Sequence, residues 1–225
     1  MASPRGGNEI ELLSGVELFA ELDDETMADI VSRADRRLLE RNDVLFGEED
    51  PPGELFVVVS GRVAIANRSD DGRESLVALM EHGDLFGEMP LFDNGQRSAE
   101  ARALETSEVL AIPYAPLREL YERRPDLLWR VVAMLAVRLR SMDAALADSV
   151  FLDVTGRTAK RLLELAGEDD EFALPVTQEE LAGMVGASRE RVNKAIASFV
   201  KLGWIEQRDR HYVITNRQQL EIRAR

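Results

Sequence analysis

Cysteine is absent from all 225 residues. Its absence excludes disulfides, thiolate-held iron–sulfur clusters and cysteine nucleophiles. Long apolar runs are absent as well: nothing approaches the ~20 residues that cross a bilayer, so no membrane partner is expected. Histidine is scarce, with His82 in a tight polar turn and His211 far from it in the chain. Two lone histidines read as surface residues rather than as haem or metal ligands. The start, Met1–Gly7, lacks a signal peptide's apolar stretch and reads as a short flexible tail. A cytoplasmic protein with no metal, haem or iron–sulfur cluster is the simplest reading.

Positive charge is also short. The chain holds 28 Lys+Arg against 42 Asp+Glu, a net −14. An evenly acidic surface would repel nucleic acid, but the deficit is uneven. Residues 1–153 carry 16 basic and 31 acidic residues, whereas residues 154–225 carry 12 and 11. Any DNA-binding surface therefore belongs to the C-terminal third.

What is present divides into three textures. Near Leu18–Glu25, Asp23 or Asp24 can cap a helix whose apolar face is Met27, Ile30 and Val31. From about Leu38 to Ile112, short β-rich runs (Leu55–Val59, Arg62–Ala66, Ser75–Met80, Val109–Ile112) alternate with turn signals at Pro51–Gly53, Ser60-Gly61, Asp70–Gly72, His82–Asp84 and Asn94-Gly95. That spacing predicts an all-β sandwich or barrel, with Gly61 and Gly72 in hairpin turns of positive φ.

A long helix follows, with Pro125 in its first turn and no breaker before about Phe151, a span of about 39 Å. Leu128, Val132, Leu135, Leu139, Met142 and Leu146 alternate in steps of four and three, a heptad seam that calls for a partner helix. A parallel homodimer is favoured over a monomer helix buried on two sides. Val131, Met134 and Val137 lie off the seam and could pack on the chain's own β domain, while Arg138 and Arg140 flank it. Phe151–Gly156 breaks the pattern as a hinge. Beyond it come a helix over Thr158–Ala166 and an acidic loop at Gly167–Glu171.

Residues 177–203 carry the strongest signal. Thr177-Gln178-Glu179-Glu180 is a capping box opening a short helix with Leu181, Ala182 and Val185. Gly186 stops it, Ser188 opens a second helix with Val192, Ala195, Ile196 and Phe199, and Gly203 can end that one. A small residue at the helix crossing (Ala182) and a turn residue tolerant of positive φ (Gly186) meet the demands of a helix-turn-helix. Arg189, Glu190, Arg191, Asn193 and Lys194 occupy the first two turns of the second helix, the part that enters a major groove. Arg and Lys grip guanine, and Glu accepts from cytosine. Thr177, Gln178 and Ser188, at helix N-termini, are candidates for phosphate contacts. An amphipathic pair with a solvated face is the bland alternative, but the coincidence of cap, turn glycine, small contact and base-reading side chains favours DNA. Trp204–Glu206 and His211–Ile214, joined through Arg208-Asp209-Arg210, then form a β-wing.

This order, with Phe151–Arg157 and Val185-Gly186-Ala187-Ser188-Arg189-Glu190, resembles the cAMP receptor protein (catabolite activator) family of bacterial regulators, related to the fumarate-nitrate regulators. The resemblance runs from about Leu18 to Ile214, and Val192-Asn193-Lys194 with Gly203-Trp204-Ile205 is similar to the actinobacterial branch. It implies an α+β fold: a cyclic-nucleotide-binding β-roll in residues 1–124, a dimerisation helix and hinge in 125–153, and a winged helix-turn-helix in 154–225. Phe86–Phe92 followed by Arg97-Ser98-Ala99 matches the family's phosphate-binding cassette. Gly87 lets the backbone approach a ligand, so that its N–H and that of Glu88, ahead of Met89, reach phosphate or sugar oxygens. The Glu88 carboxylate accepts from a ribose 2′-hydroxyl, Arg97 pairs the cyclic phosphate, and Ser98 adds a hydroxyl. A Glu88–Arg97 salt bridge that only stabilises the roll is the alternative. In cAMP-responsive members, hydroxyl or amide side chains of the long helix contact adenine. This chain has Met142 and Asp143 at those places, and Met142 also belongs to the dimer seam.

The resemblance thus implies a homodimeric transcription regulator, not an enzyme, with no catalytic residues. It implies cAMP as allosteric ligand, and as partners a near-palindromic double-stranded DNA operator and RNA polymerase. A ligand-binding module serving an enzyme or channel is disfavoured by the helix-turn-helix that follows. A ligand-independent regulator, or one with another ligand, on the same fold remains the alternative.

Overall fold

The computed structural model describes residues 5–68 and 74–225, so part of the expected N-terminal tail and the Asp70–Gly72 turn lie outside the described residues. The chain forms two compact units. One comprises Met1–Arg73 and Val77–Leu139, the other Glu74–Leu76 and Arg140–Arg225.

Ahead of Tyr114, among the described residues, α1 (Arg5–Ser14) and α2 (Asp24–Ser32) precede eight strands: β1 (Asp35–Leu39), β2 (Val44–Phe46), β3 (Glu54–Ser60), β4 (Val63–Arg68), β5 (Glu74–Met80), β6 (Leu85–Phe86), β7 (Glu100–Ala103) and β8 (Ser107–Pro113). A short α3 (Met89–Asp93) lies between β6 and β7, and α4 (Tyr114–Arg123) follows β8. The strands form two four-stranded sheets, β1-β8-β3-β6 and β2-β7-β4-β5. The two-residue period of β3 explains how they are joined. Leu55 and Val57 point into a core shared with α1, α2 and α4, where Leu13, Phe19, Ile30 and Leu117 are buried. Phe56 and Val58 point the other way, into a core with Phe86, Ala101, Ala103 and Val109. Gly61 turns from β3 to β4 at φ +80°, and a Cβ there would lie 2.4 Å from the Ser107 hydroxyl.

α2 starts as expected: the Asp23 side chain accepts from Thr26 N–H, and Met27 and Ile30 are buried. Elsewhere the pattern misled. A helix begins already at Arg5, inside the expected tail. Pro125 lies in a 3-10 turn, Pro125–Leu127, and the long helix α5 (Leu128–Phe151) begins after it. The fixed φ of proline suits either geometry. Val131 and Met134 are buried in the core of the first unit, but Val137 is 51% exposed and does not join them. The six seam residues are exposed along α5, from Leu128 and Leu135 at 37% to Leu146 at 64%.

The second unit takes the last part of α5, from Arg140, and the chain beyond it. Of the Phe151–Gly156 hinge, only Leu152 and Asp153 leave the helix; α6 (Val154–Ala166) starts at once, capped by the Asp153 side chain accepting from Gly156 N–H. Glu171 opens a strand, β9 (Glu171–Ala173), rather than closing a loop. Then come α7 (Gln178–Val185), α8 (Arg189–Lys201), β10 (Ile205–Arg208), β11 (His211–Ile214) and α9 (Arg217–Arg223). The three strands pair in the order β10-β11-β9. Leu162, Leu181, Val192, Ile196, Phe199, Tyr212 and Leu220 form the interior. α9 packs on α6, and at Gly156 the approach is tight: a Cβ would lie 3.0 Å from the Arg223 carbonyl oxygen.

Candidate functional site

The first unit holds a buried cation with incomplete bonding. Arg97 is 6% exposed. Its Nη1 donates to the Gly87 carbonyl at 2.8 Å and the Tyr114 hydroxyl at 3.2 Å, and its Nη2 to the Glu54 carbonyl at 2.8 Å. The guanidinium lies over the Phe46 ring, 4.1 Å from its centroid. Its Nε is buried without a hydrogen-bond partner. A buried charge is normally matched by an opposite charge, but here every bonded partner is neutral. Burial works against the Arg97 charge, opposed by the neighbouring Tyr114. Gly87 makes the arrangement possible: it sits at φ +76°, and a Cβ would lie 2.7 Å from Arg97 Nη1.

Glu88 is 1% exposed, and its carboxylate pairs with Arg138 of α5, not with Arg97. The Glu88–Arg97 bridge is therefore set aside. The fold brings α5 onto the carboxylate instead. Arg138 also donates to the Leu85 carbonyl. Burial raises the Glu88 pKa above its ordinary value, and the Arg138 charge only partly offsets this. Sequence reasoning placed Arg138 beside the seam without a role, and Tyr114 it did not single out. A fork-bearing side chain 50 residues from the acid it meets leaves no local signal. Met89 and Ser98 are exposed next to these groups in sequence. Met142 and Asp143 are exposed on the half of α5 that belongs to the second unit.

Phosphate-bearing ligands fit the first-unit residues chemically. An unpartnered buried Nε and a glycine cradle offer donors to an anion, and a buried carboxylate accepts from a hydroxyl.

In the second unit the donors face water. Thr177 and Glu180 form the reciprocal capping box, with Thr177 N–H on the Glu180 carboxylate at 2.6 Å. Gly186 closes α7 at φ +67°, and the Ser188 side chain caps α8. Val192, Ala195, Ile196 and Phe199 turn inward, which sends Arg189, Glu190, Arg191, Asn193 and Lys194 outward. All five side chains are exposed. Thr177 and Gln178 are engaged otherwise. The Thr177 hydroxyl accepts from Glu180 N–H, and Gln178 Nε2 donates to the Tyr212 hydroxyl at 2.7 Å. Gln178 thus ties α7 to β11. In the wing, Arg208 is exposed, while Arg210 turns back to the Leu174 carbonyl at 3.0 Å. His82 is bonded to the Val59 carbonyl, and His211 lies 3.5 Å from Glu171. No helix among the described residues is long and apolar enough to cross a membrane.

Comparison with known proteins agrees with this division. Residues 36–124 match the cyclic nucleotide-binding domain family, and residues 156–223 the Crp-like helix-turn-helix domain family. The chain is 36% identical over 222 residues to the CRP-like cAMP-activated global transcriptional regulator of Mycobacterium tuberculosis, covering 96% of this chain and 99% of that one. The solved catabolite activator protein of Thermus thermophilus matches with TM-score 0.53 and 32% identity, over 92% of this chain and 98% of that one. The c-di-GMP responsive global regulator CLP of Xanthomonas campestris matches with TM-score 0.74 and 28% identity, over 85% and 99%. The chain therefore belongs to the Crp/Fnr family, and is a DNA-binding transcription regulator, not an enzyme, with a cyclic nucleotide-binding domain ahead of its helix-turn-helix.

Proposed function

We propose that this regulator is a cytoplasmic homodimer switched by cAMP. The observation that carries the reading is Arg97: a buried guanidinium held only by neutral acceptors, with Nε unpartnered. A cyclic phosphate adds a directly bonded negative charge to the more distant ones of Glu54 and Asp50 and takes up the free donor. Gly87 and Ser98 add donors to the same phosphate, Met89 lies beside them, and Glu88 takes the ribose 2′-hydroxyl. Because Glu88 is already bonded to Arg138 of α5, a ligand that loads Glu88 also loads the helix carrying the exposed seam. The seam pairs with a second copy, which places two recognition helices on half-sites one DNA turn apart in a near-palindromic operator. Arg189, Glu190, Arg191, Asn193 and Lys194 read bases and phosphates. Ser188 and the N-terminal end of α7 at Thr177 and Gln178 lie against the backbone, and the bound dimer acts on RNA polymerase.

One feature of the sequence favours a different nucleotide. Met142 offers no hydrogen bond and Asp143 only accepts, so the base end is chemically unlike a hydroxyl pair. Calorimetric titration of cAMP and of cGMP into the whole protein, with operator binding measured in parallel, decides between them. Binding of cAMP with a matching rise in DNA affinity is expected, and Arg97→Ala abolishes it while the dimer persists. No heat with either nucleotide, together with full DNA affinity in the free state, overturns the reading.

A further inference from the structure

Phe46 closes β2 on the unexpected face of its sheet. Residues two apart on a strand share a face, and Val44 is exposed, so the strand period alone would turn Phe46 to water. The pairing with β7 changes that. Val44 lies opposite Arg102 and Phe46 opposite Ala101, where an unbroken register would bring Glu100. β2 therefore carries a bulge between the two, and a bulge re-aims the side chain that follows it. Ala101 is buried, and Phe46 packs against the same core, with the Phe56 ring at 5.6 Å and the Phe86 ring at 6.2 Å.

The re-aimed ring lies against the Arg97 guanidinium, 4.1 Å from centroid to group. Phe56, the next ring, is at 5.5 Å. An aromatic face carries the negative part of a quadrupole, and its pull on a cation is strongest where water is excluded. Two carboxylates near Arg97 are engaged elsewhere. That of Glu54 is turned to Arg37 at 2.6 Å, and that of Asp50 accepts from Gly47 N–H at 2.7 Å, so both act on Arg97 only from a distance. The difference matters for an anion site. A carboxylate bonded to Arg97 would occupy its donors and cancel its charge, whereas a ring face does neither. The hydrogen bonds of Arg97 leave from Nη1 and Nη2. The flat ring adds the tilt of the guanidinium plane, and with it the direction of the unpartnered Nε–H.

We propose that Phe46 is a positioning residue for the phosphate grip of Arg97. Its ring face holds the buried guanidinium in one plane and leaves both the charge and the Nε–H for a phosphate oxygen. The bulge in β2 is the device that brings the ring there. This inference rests on the nucleotide-binding reading above, because the group it positions is the one assigned to the cyclic phosphate.

The test places mono-, di- and trifluorinated phenylalanine at position 46 of the full-length protein, alongside Phe46→Leu. Fluorine withdraws negative charge from the ring face and leaves its shape nearly unchanged, so packing is kept while the pull on a cation fades. Calorimetry reads the affinity for cAMP. Affinity falls stepwise with each fluorine, by about tenfold over the series, and Phe46→Leu falls at least as far. The same series at position 56, whose ring is farther from Arg97, changes affinity by less than about threefold. An affinity that stays flat or rises along the series at position 46 overturns the proposal, even where Phe46→Leu binds poorly, because Phe46 then serves packing alone. Equal slopes at positions 46 and 56 overturn it as well. A wild type that takes up neither cAMP nor cGMP overturns the nucleotide-binding reading and this inference together, and shows itself in the unsubstituted protein.

Discussion

Arg97 and Arg189 are both arginines assigned to phosphate-bearing partners, yet the two units treat them in opposite ways. Arg97 is buried on neutral acceptors and aromatic rings, whereas Arg189 stands in water at the start of α8. In a low-dielectric site a single charge interacts strongly with whatever small anion enters. In water each charge contributes little, so the DNA surface works by number and by the release of counterions. One unit buries charge to select a small molecule; the other exposes charge to hold a polyanion. This is why the net −14 of the chain misjudges its partner, since the sum weighs both kinds of charge alike.

The largest expected effect is a difference in salt response. For six to ten phosphate contacts, operator affinity falls by about a thousandfold or more between 50 and 200 mM salt. Nucleotide affinity, measured by calorimetry over the same range, moves by less than about threefold, because buried pairs are weakly screened. Equal salt slopes would erase the contrast between the units. A smaller effect is expected from Arg189→Ala: a loss of about 1–3 kcal/mol on the preferred duplex, with relaxed preference at one base pair in a competition assay. A uniform loss across all sequences would mean that Arg189 touches phosphate alone.

The smallest effect is in pH. Glu88 has a folded pKa raised above 4.5, chiefly by burial. Between the two values the folded state holds the extra proton, so stability falls as pH rises through that window and returns as pH drops. Asp153 in the second unit has the opposite sign. The Gly156 N–H, then Arg223, lowers its pKa from 3.8, and its stabilisation is present above that value and lost as pH falls below it. Thermal melts between pH 3 and 7 should show Glu88→Gln removing the first slope without changing the second.

Much of the second unit was legible because its determinants are local. A capping box spans four residues, and Gly186 and Ser188 sit in one turn. The helical period then assigns Val192 and Ile196 inward and Arg189 and Lys194 outward. The first unit was legible where strands were rich in branched residues, as in β3 and β8, and illegible at β1 and β7. The sequence Asp35-Arg36-Arg37 makes an unusual strand, and Ala101 and Ala103 are too small to announce one, although both are fully buried. α9 escaped notice because its seven residues bury only Leu220, and α4 because proline precedes it and another lies in its first turn.

The sequence by itself determined the two domains, the long helix between them and the helix-turn-helix. Hydrogen bonds over three or four residues and periodic burial are written in neighbouring letters. Only the tertiary structure decided whom the charges meet. It gave Glu88 to Arg138, left Arg97 on neutral carbonyls, turned Gln178 to Tyr212, and placed Arg157 between the ends of α5 and α7. Charge acts through space, and in these pairs the packing joins residues 5 to 50 positions apart along the chain.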